Sequence, residues 1–512
     1  MRVAFGTKRV LFILTAIFFC GCSVMQPADP RPAAPPPARE AAAREAATGK
    51  AVPGKQADFL PGSSPCDAST SDASISEASS NKLSDTNTTG NVPQEMPEGP
   101  LTLDAAVSVA LANNPGIAAD KWDAAAAGAQ KDLAAAERMP SLSLEGGYTR
   151  TLDRQRVIAA RGEREPGAFT RDLATGELVL SVPLFTGGRL ANEAQAAQFY
   201  HEKARRRLGR NRGELVHDVT VVFYEILAQR HVIESLNISV RSLDTHVETI
   251  EKLVTAQKAT RVDKMRTEVR LAELRQELVK EKQNLVIRQQ LLANLLGLPD
   301  KAGLLSPEGN LESKKSPSLP DTGEATAKAL QNRQDYLAAK AALNARARSV
   351  DAARAGGWPL VSIEGAYGGR WAAGSTTGPG DDYGDVGRIG VLVDMPLFRG
   401  GRIDARIREE TAGLEAAQQR LLALKHQVRL EIETAIANVH AAQEQIAAIE
   451  KAIGSARESL RIEMEKHAAG RGTIVDVLDA QRALHQSETT YYRAMAELHA
   501  SIARLELAMG ES

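Results

Sequence analysis

The chain contains the same unit twice, and this duplication limits the folds that it can adopt. Residues 144–148 (LEGGY) reappear as residues 363–367 (IEGAY), 219 positions later. Residues 181–189 (SVPLFTGGR) reappear as residues 394–402 (DMPLFRGGR), 213 positions later. The difference of six falls between the two motifs, where a loop can change length without disturbing a core. We therefore expect two structurally equivalent halves.

Each half contains long stretches in which apolar residues recur by alternate steps of three and four. The first such seam includes Leu215, Val219, Val222, Ile226, Leu236, Leu243 and Ile250, with Gln229 as its one polar place, and the second includes Val428, Ile432, Ala435, Val439, Ala442 and Ile446. A seven-residue repeat faces a partner continuously only if helices supercoil. The pattern predicts coiled-coil helices at about 188–255, 262–296, 401–467 and 474–509.

The length of the first of these helices also constrains the architecture. About 68 residues at 1.5 Å each would reach about 100 Å. A compact globular domain does not accommodate such a rod, whereas a cytoskeletal or tethering coiled coil does. Periodicity alone favours that fibrous class, and the argument against it lies in the segments between the helices.

Four short segments alternate between apolar and more polar residues, which is typical of β-strands with two different faces. They lie at about 141–150, 177–185, 360–369 and 388–398. Their length suits tilted strands crossing a bilayer, where only a closed barrel satisfies every backbone group. Because small barrels use about eight strands, two or three chains would have to share one. The alternative is a soluble antiparallel sheet that caps the coiled coil.

The first hundred residues have the features of a targeting signal followed by a tether. Residues 1–21 combine basic residues with a short apolar run, which is typical of a secretory signal peptide. The sequence Gly21-Cys22-Ser23 resembles a bacterial lipobox, although Phe19 departs from its usual leucine. Acylation of Cys22 would anchor the chain in outer membrane lipid. The alternative is an ordinary cleavage site near Cys22.

The remaining boundaries follow from composition. Residues 22–100 are rich in Pro, Ala, Ser and Asp and almost without large apolar side chains, which predicts a disordered tether. The first repeat is expected at 101–300 and the second at 326–510, with a linker at 301–325. Each repeat would open with a helix before its strands.

Composition excludes several functional classes. With 63 Lys plus Arg against 64 Asp plus Glu, the net charge of −1 provides no basic field for nucleic acid. Three cysteines cannot build a four-thiolate zinc site, and the nine histidines lack metal-ligand spacing. The sequence holds no Walker A motif, no His-Glu-x-x-His and no serine elbow. We therefore expect neither an enzyme nor a bound cofactor or metal.

The duplicated strand-helix unit, with VPLFTGGR at 182–189 and GTIVDVLDAQ at 472–481, resembles the TolC-like outer membrane efflux protein family. The resemblance covers residues 101–510, and the lipobox brings the chain closer to the lipid-anchored, drug-efflux members. It implies a mainly α fold with a small β part. Three identical chains would form a twelve-stranded barrel in the outer membrane of a Gram-negative bacterium, continued by an α-helical tunnel in the periplasm.

The resemblance also implies partners. A periplasmic adaptor protein would join the channel to an inner-membrane transporter, proton-driven or ATP-driven, that couples energy to export. A type I protein-secretion channel has the same architecture and stays an alternative. A non-porous envelope coiled coil is the alternative from another class.

The resemblance assigns site residues at the periplasmic end. Asp476 and Asp479, three apart at a predicted helix start, match an aspartate ring at the narrow entrance of the family's tunnel. The alternative is that they complement the helix macrodipole. Asp263 matches an aspartate that holds the tip helices closed, with Arg471 and His467 near the positions of its partners.

The turns at the helical tips complete the expected site. Family members meet their adaptor at these turns, which here contain Lys258, Ala259 and Thr260 in the first repeat and Gly470 and Gly472 in the second.

Overall fold

The computed structural model describes residues 101–158, 168–311, 319–373 and 383–511. The predicted signal peptide, the acylation site at Cys22 and the predicted tether lie outside these residues. The elements in chain order are α1 (Leu103–Asn113), α2 (Pro115–Ala136), β1 (Ser141–Ile158), β2 (Ala168–Phe185), α3 (Arg189–Thr255), α4 (Arg261–Leu295), a 3₁₀ helix (Pro299–Leu304), α5 (Thr322–Asn332), α6 (Gln334–Ala355), β3 (Leu360–Ala373), β4 (Tyr383–Asp394), α7 (Arg402–Ala468) and α8 (Ile474–Met509).

The two halves repeat one order of elements, two helices, two strands and two long helices. α3 and α7 each contain 67 residues, so the equivalence extends to helix length. Both begin after a Gly-Gly pair whose residues have positive φ, 62° and 86° at Gly187 and Gly188 and 59° and 76° at Gly400 and Gly401. Residues with a Cβ avoid this conformation. The glycines therefore set the turn from strand to helix in both halves.

The strands form one antiparallel sheet in the order β1-β2-β3-β4. Ser143 pairs with Val179, Val179 with Ala366, and Val361 with Val393. The central pair, β2 with β3, joins the two halves. β1 and β4 each have only one neighbouring strand among the described residues, so both edges of the sheet are open.

The strands differ from their predicted bounds. β1 continues to Ile158 and β2 begins at Ala168, well beyond the predicted 141–150 and 177–185. The added residues mix polar and apolar types without regular alternation, so the apolar pattern could not reveal them, whereas strand pairing resumes at Gln155 with Thr170 and reaches Ile158 with Ala168. β4 ends at Asp394 rather than at the predicted residue 398. Asp394 pairs with Leu360, the first residue of β3, so Met395–Phe398 have no strand beside them, and Pro396 has no N–H to donate.

The long helices pack as the heptad seams predict. Val219, Ile226, Leu236, Leu243 and Ile250 of α3 are buried, as are Val428, Ile432 and Val439 of α7. α3 packs against α4 and α8, and α7 packs against α8. No helix within the described ranges is long and apolar enough to cross a membrane.

Candidate functional site

One face of the sheet is apolar and exposed. Alternate residues of all four strands lie on it, and their side chains include Leu142, Leu144, Leu178, Leu180, Val361, Ile363, Ile389, Val391 and Val393. Leu144 is 77% and Ile389 83% exposed. Contiguous apolar surface of this kind marks contact with another protein or with lipid.

Aromatic side chains lie at one end of the apolar face. Tyr148, Tyr367, Trp371 and Tyr383 belong to it, and each is at least 46% exposed. The rings of Trp371 and Tyr383 lie 5.5 Å apart between centroids. Aromatic rings with a polar edge favour the boundary between hydrocarbon and water.

The opposite face of the sheet is charged. Glu177 of β2, whose side chain is 13% exposed, accepts a hydrogen bond of 2.6 Å from Arg388 of β4 and lies 3.9 Å from Arg370 of β3. The bond crosses β3, on which Gly368 pairs with Glu177 and Ala366 pairs with Arg388. Glu145 and Glu364 share this face by register. Such a face is stable in contact with water and costly in contact with lipid.

Among the described residues, the first long helix of each half has a different number of neighbouring helices near the sheet. α3 lies against both α2 and α6, whereas α7 has α6 on one side and no counterpart on the other among the described residues. At the start of α3, a Cβ on Gly187 would collide with Trp358 and lie 3.2 Å from the carbonyl oxygen of Ala355. At the equivalent Gly400 nothing lies within 4 Å. Within the described ranges, the second half therefore has no neighbour at the position that Trp358 and Ala355 occupy in the first half.

At the tips of the coiled coils, both α4 and α8 begin with the same capping box. The Asp263 carboxylate accepts hydrogen bonds from the Thr260 N–H (3.1 Å) and hydroxyl (2.7 Å). Asp476 does the same with Thr473, at 3.1 Å and 2.6 Å. The side-chain hydrogen bond from Thr473 and its backbone N–H lower the pKa of Asp476, so this carboxylate stays charged near neutral pH.

Asp479 lies one turn further along α8. Its carboxylate is 3.0 Å from Arg482 and 60% exposed, so the ion pair is largely solvated. Asp476 thus caps the helix as the alternative interpretation expected, and both carboxylates nevertheless remain at the surface of the tip. Capping and an electrostatic role at a tunnel entrance are compatible.

The residues of the predicted gate are arranged differently from the expectation. Asp263 bonds to Thr260, and no hydrogen bond or ion pair joins it to Arg471 in the part of the chain that the structure describes. The His467 ring lies 5.7 Å from the His246 ring between centroids. A gate through Asp263 stays a prediction, and it would require contacts other than these.

The tip turns show how the two repeats diverge. Gly470 has φ 68°, and its equivalent in the first turn is Gln257 with φ 56°, the one non-glycine at positive φ in the described ranges. Gly472, by contrast, has no positive φ and a Cβ there would lie 3.1 Å from the Lys466 Cβ. The left-handed backbone of Gln257 sets the direction in which the first turn continues through Lys258, Ala259 and Thr260.

We expect Gln257→Gly to stabilise the first tip. A left-handed conformation costs an L-residue about 1–2 kcal/mol, and the extra chain entropy of glycine offsets about half of this. The gain should be about 0.5–1 kcal/mol, measured as resistance of the tip turn to limited proteolysis. The reciprocal Gly470→Gln should weaken the second tip by a similar amount, and equal cleavage of all three proteins would contradict the assignment.

A buried polar network in the coiled coil was not foreseen as a unit. Gln229, the polar place in the first seam, donates a 2.6 Å hydrogen bond to Glu281 of α4, which also binds Arg493 of α8 at 3.0 Å. Burial favours the neutral acid, but the hydrogen bonds from Gln229 and Asn284 and the charge of Arg493 outweigh it, so the pKa of Glu281 is lowered. The sequence signal for this network was the polar Gln229 in an otherwise apolar seam. Its partners could not be predicted, because they belong to other helices.

The chain is similar to known proteins both in sequence and in fold. The sequence model of the family described as outer membrane efflux protein matches residues 106–298 and again 325–511. Outer membrane efflux protein BepC of Brucella suis is 25% identical over 324 residues, which make up 63% of this chain and 68% of that protein. Cobalt-zinc-cadmium resistance protein CzcC of Cupriavidus metallidurans is 24% identical over 416 residues, 80% of this chain and 90% of that protein.

A solved structure has the same fold. The crystal structure of the outer membrane protein VceC from Vibrio cholerae superposes with a TM-score of 0.69, covering 80% of this chain and 96% of that chain at 21% identity. At this identity the likeness concerns the fold alone.

Proposed function

The chain belongs to the outer membrane efflux protein family, and we propose that three copies form a passive conduit that carries substrates from an inner-membrane transporter across the periplasm and the outer membrane. The observation that carries this proposal is the four-stranded sheet with one apolar face, one charged face and two open edges. Such a sheet satisfies its backbone in hydrocarbon only when further strands close it into a ring.

The two faces support a water-filled ring. With the apolar face toward lipid, β3 presents apolar or aromatic residues from Val361 to Trp371. Ten residue steps at about 3.3 Å, tilted by about 40°, span about 25 Å, which matches the apolar band of outer membrane barrels. The Glu177–Arg388 pair would then line the lumen. Three chains of four strands give twelve.

The unfilled position beside α7 supports a head-to-tail arrangement of the copies. By the internal repeat, Trp358 and Ala355 of the second half correspond to Met139 and Ala136 of the first. The surface at Gly400 is therefore shaped for the end of α2 of another copy. A heterologous contact of this kind closes into a ring when its rotation permits. Met139 and Phe398, at 64% and 89% exposed, would be covered by it.

The tips would form the periplasmic entrance. In a threefold ring, Asp476 and Asp479 would place six carboxylates around one axis, and focused negative charge favours cations. The turns containing Lys258 and Gly470 would contact a periplasmic adaptor protein. No catalytic group is needed, because the inner-membrane transporter, proton-driven or ATP-driven, supplies the energy and selects the substrate. Cys22 would carry the acyl chains that anchor each copy.

We expect Asp476→Asn combined with Asp479→Asn to abolish cation selectivity. Asparagine keeps the capping oxygen at position 476 and removes only the charge, so the helix start should persist. The measurement is the reversal potential of channels in a planar bilayer under a salt gradient. Asp404→Asn, an exposed aspartate in the first turn of α7, is the matched control and should leave selectivity unchanged. Unchanged selectivity in the double variant would contradict the placement of Asp476 and Asp479 at the channel entrance.

Two alternative functions predict different oligomeric states or different partners. A type I secretion channel would have the same trimer but would purify with an ATP-driven transporter and its secreted protein. A non-porous coiled-coil lipoprotein would purify as monomers or dimers without conductance. Isolation from detergent-extracted outer membrane, followed by native mass spectrometry of the complex, distinguishes the three.

A further inference from the structure

Two histidines that are 221 residues apart in sequence meet near the helical tips. His246 lies two turns before the end of α3, and His467 is the second-last residue of α7. Their ring centroids are 5.7 Å apart and their planes are inclined by 55°. Ile250 of α3 belongs to the same buried cluster as Ile474 and Val477 in the first turn of α8, the helix that follows His467 after the tip turn.

The imidazole of His246 has an unused nitrogen. Its Nε2 is buried and has no hydrogen-bond partner among the described residues. A buried acceptor without a donor is unfavourable unless another group contacts it.

The spacing of the rings suits one shared metal ion. A metal-nitrogen bond of about 2.0–2.1 Å plus about 1.1 Å from the nitrogen to the ring centre places each centroid about 3.2 Å from the ion. A tetrahedral angle then sets the two centroids about 5.2 Å apart, and a wider angle of about 125° sets them about 5.7 Å apart. The observed centroid separation of 5.7 Å equals the value for the wider angle.

We propose that His246 and His467 together bind one first-row transition-metal dication, such as Zn²⁺, Ni²⁺ or Cu²⁺. Imidazole nitrogen suits these metals better than it suits Mg²⁺ or Ca²⁺. The described residues contain no group of three or more side chains arranged to hold a metal, so water completes the coordination. Glu463, one turn before His467, is engaged by Lys466 at 2.7 Å.

The bound ion joins the α3–α4 coil to the α7–α8 coil at the tip of one chain. It therefore opposes any motion that separates these coils, and it does so within a single chain. The inference rests on helix packing and does not depend on the proposed conduit.

The test uses the full-length protein in detergent, without a polyhistidine tag, titrated with Zn²⁺ in a calorimeter. The parent should show one saturable site per chain, and His246→Ala or His467→Ala should weaken binding at least tenfold. His440→Ala is the matched control, because this α7 histidine is 61% exposed and should be dispensable. Cu²⁺ electron paramagnetic resonance should show two coordinated nitrogens in the parent and fewer in either variant.

The Asp476→Asn, Asp479→Asn protein separates this site from the carboxylates of the proposed entrance. It should keep the saturable Zn²⁺ site, even if its ion selectivity changes. The proposal is overturned if the parent binds no Zn²⁺ saturably. It is equally overturned if the two histidine variants bind as the parent does, or if binding disappears with the carboxylates.

Discussion

Replacing Arg333 by methionine should destabilise the chain by about 3 kcal/mol, because it removes the cation that joins two carboxylates in a buried ion-pair network. Arg333 is 2% exposed and contacts Asp335 at 2.7 Å and Glu431 of α7 at 2.5 Å. It fixes the junction of α5 and α6 to the long helix. The two carboxylates are 25% and 34% exposed, which places the loss at the lower end of the range for a broken buried pair.

Thermal unfolding in detergent, followed by circular dichroism at 222 nm, measures this loss. Arg429→Met is the matched control, since the Arg429–Glu433 pair on α7 is 70% and 42% exposed and should contribute at most about 1 kcal/mol. The Arg333 variant should therefore melt several degrees below the control. Equal melting temperatures would contradict a structural role for Arg333.

The same network should give the parent a specific dependence on pH. Burial raises the pKa of Asp335, but the hydrogen bond and charge of Arg333 outweigh burial, so the folded pKa lies below the usual value. A depressed folded pKa contributes stability above the unfolded pKa of about 3.9, and this stability is lost as the pH falls through the folded value. The Arg333 variant should lack this part of the acid dependence.

Replacing Gly400 by alanine should disrupt the proposed trimer while leaving the fold of the single chain in place. The left-handed φ of 59° costs the new residue about 1–2 kcal/mol, and nothing within the chain lies within 4 Å of the added Cβ. In the ring, the end of α2 from the next copy would meet this methyl group as Trp358 would meet one on Gly187. Overpacking of this kind costs about 1–3 kcal/mol at each of the three contacts.

The measurement is the fraction of trimer that survives heating in mild detergent, read by native electrophoresis. Gly454→Ala is the control, because Gly454 lies within α7 with nothing close to its Cβ position, and alanine favours a helix there. The Gly400 variant should dissociate at a clearly lower temperature than this control. Trimers as heat-resistant as those of the parent would place α2 of the neighbour elsewhere.

The fold was predictable where the physical signal is periodic along the chain. Heptad spacing located the helices that contain Val219 and Val428. The family expectation is confirmed by a sequence match to both halves. Apolar alternation located the strands but not their length, because residues such as Gln155 and Arg156 of β1 are held by strand pairing and carry no apolar pattern.

The candidate sites were predictable only in part, because they depend on contacts between distant residues. Thr260 and Asp263 have the spacing of a capping box, so their bond is local and could be read from the sequence. The contact of His246 with His467 has no spacing signature, since it joins two helices from different halves. Arg333 is also invisible in the sequence, because one arginine beside an aspartate is usually a solvated surface pair.

Single-channel recording on the purified full-length protein in planar bilayers tests the central claim most directly. The account predicts heat-sensitive trimers that insert and conduct, with a conductance that the Asp476→Asn, Asp479→Asn variant renders non-selective. Monomers or dimers that give no current, from preparations whose circular dichroism shows the folded helices and strands, would contradict a conduit and leave a fibrous envelope protein.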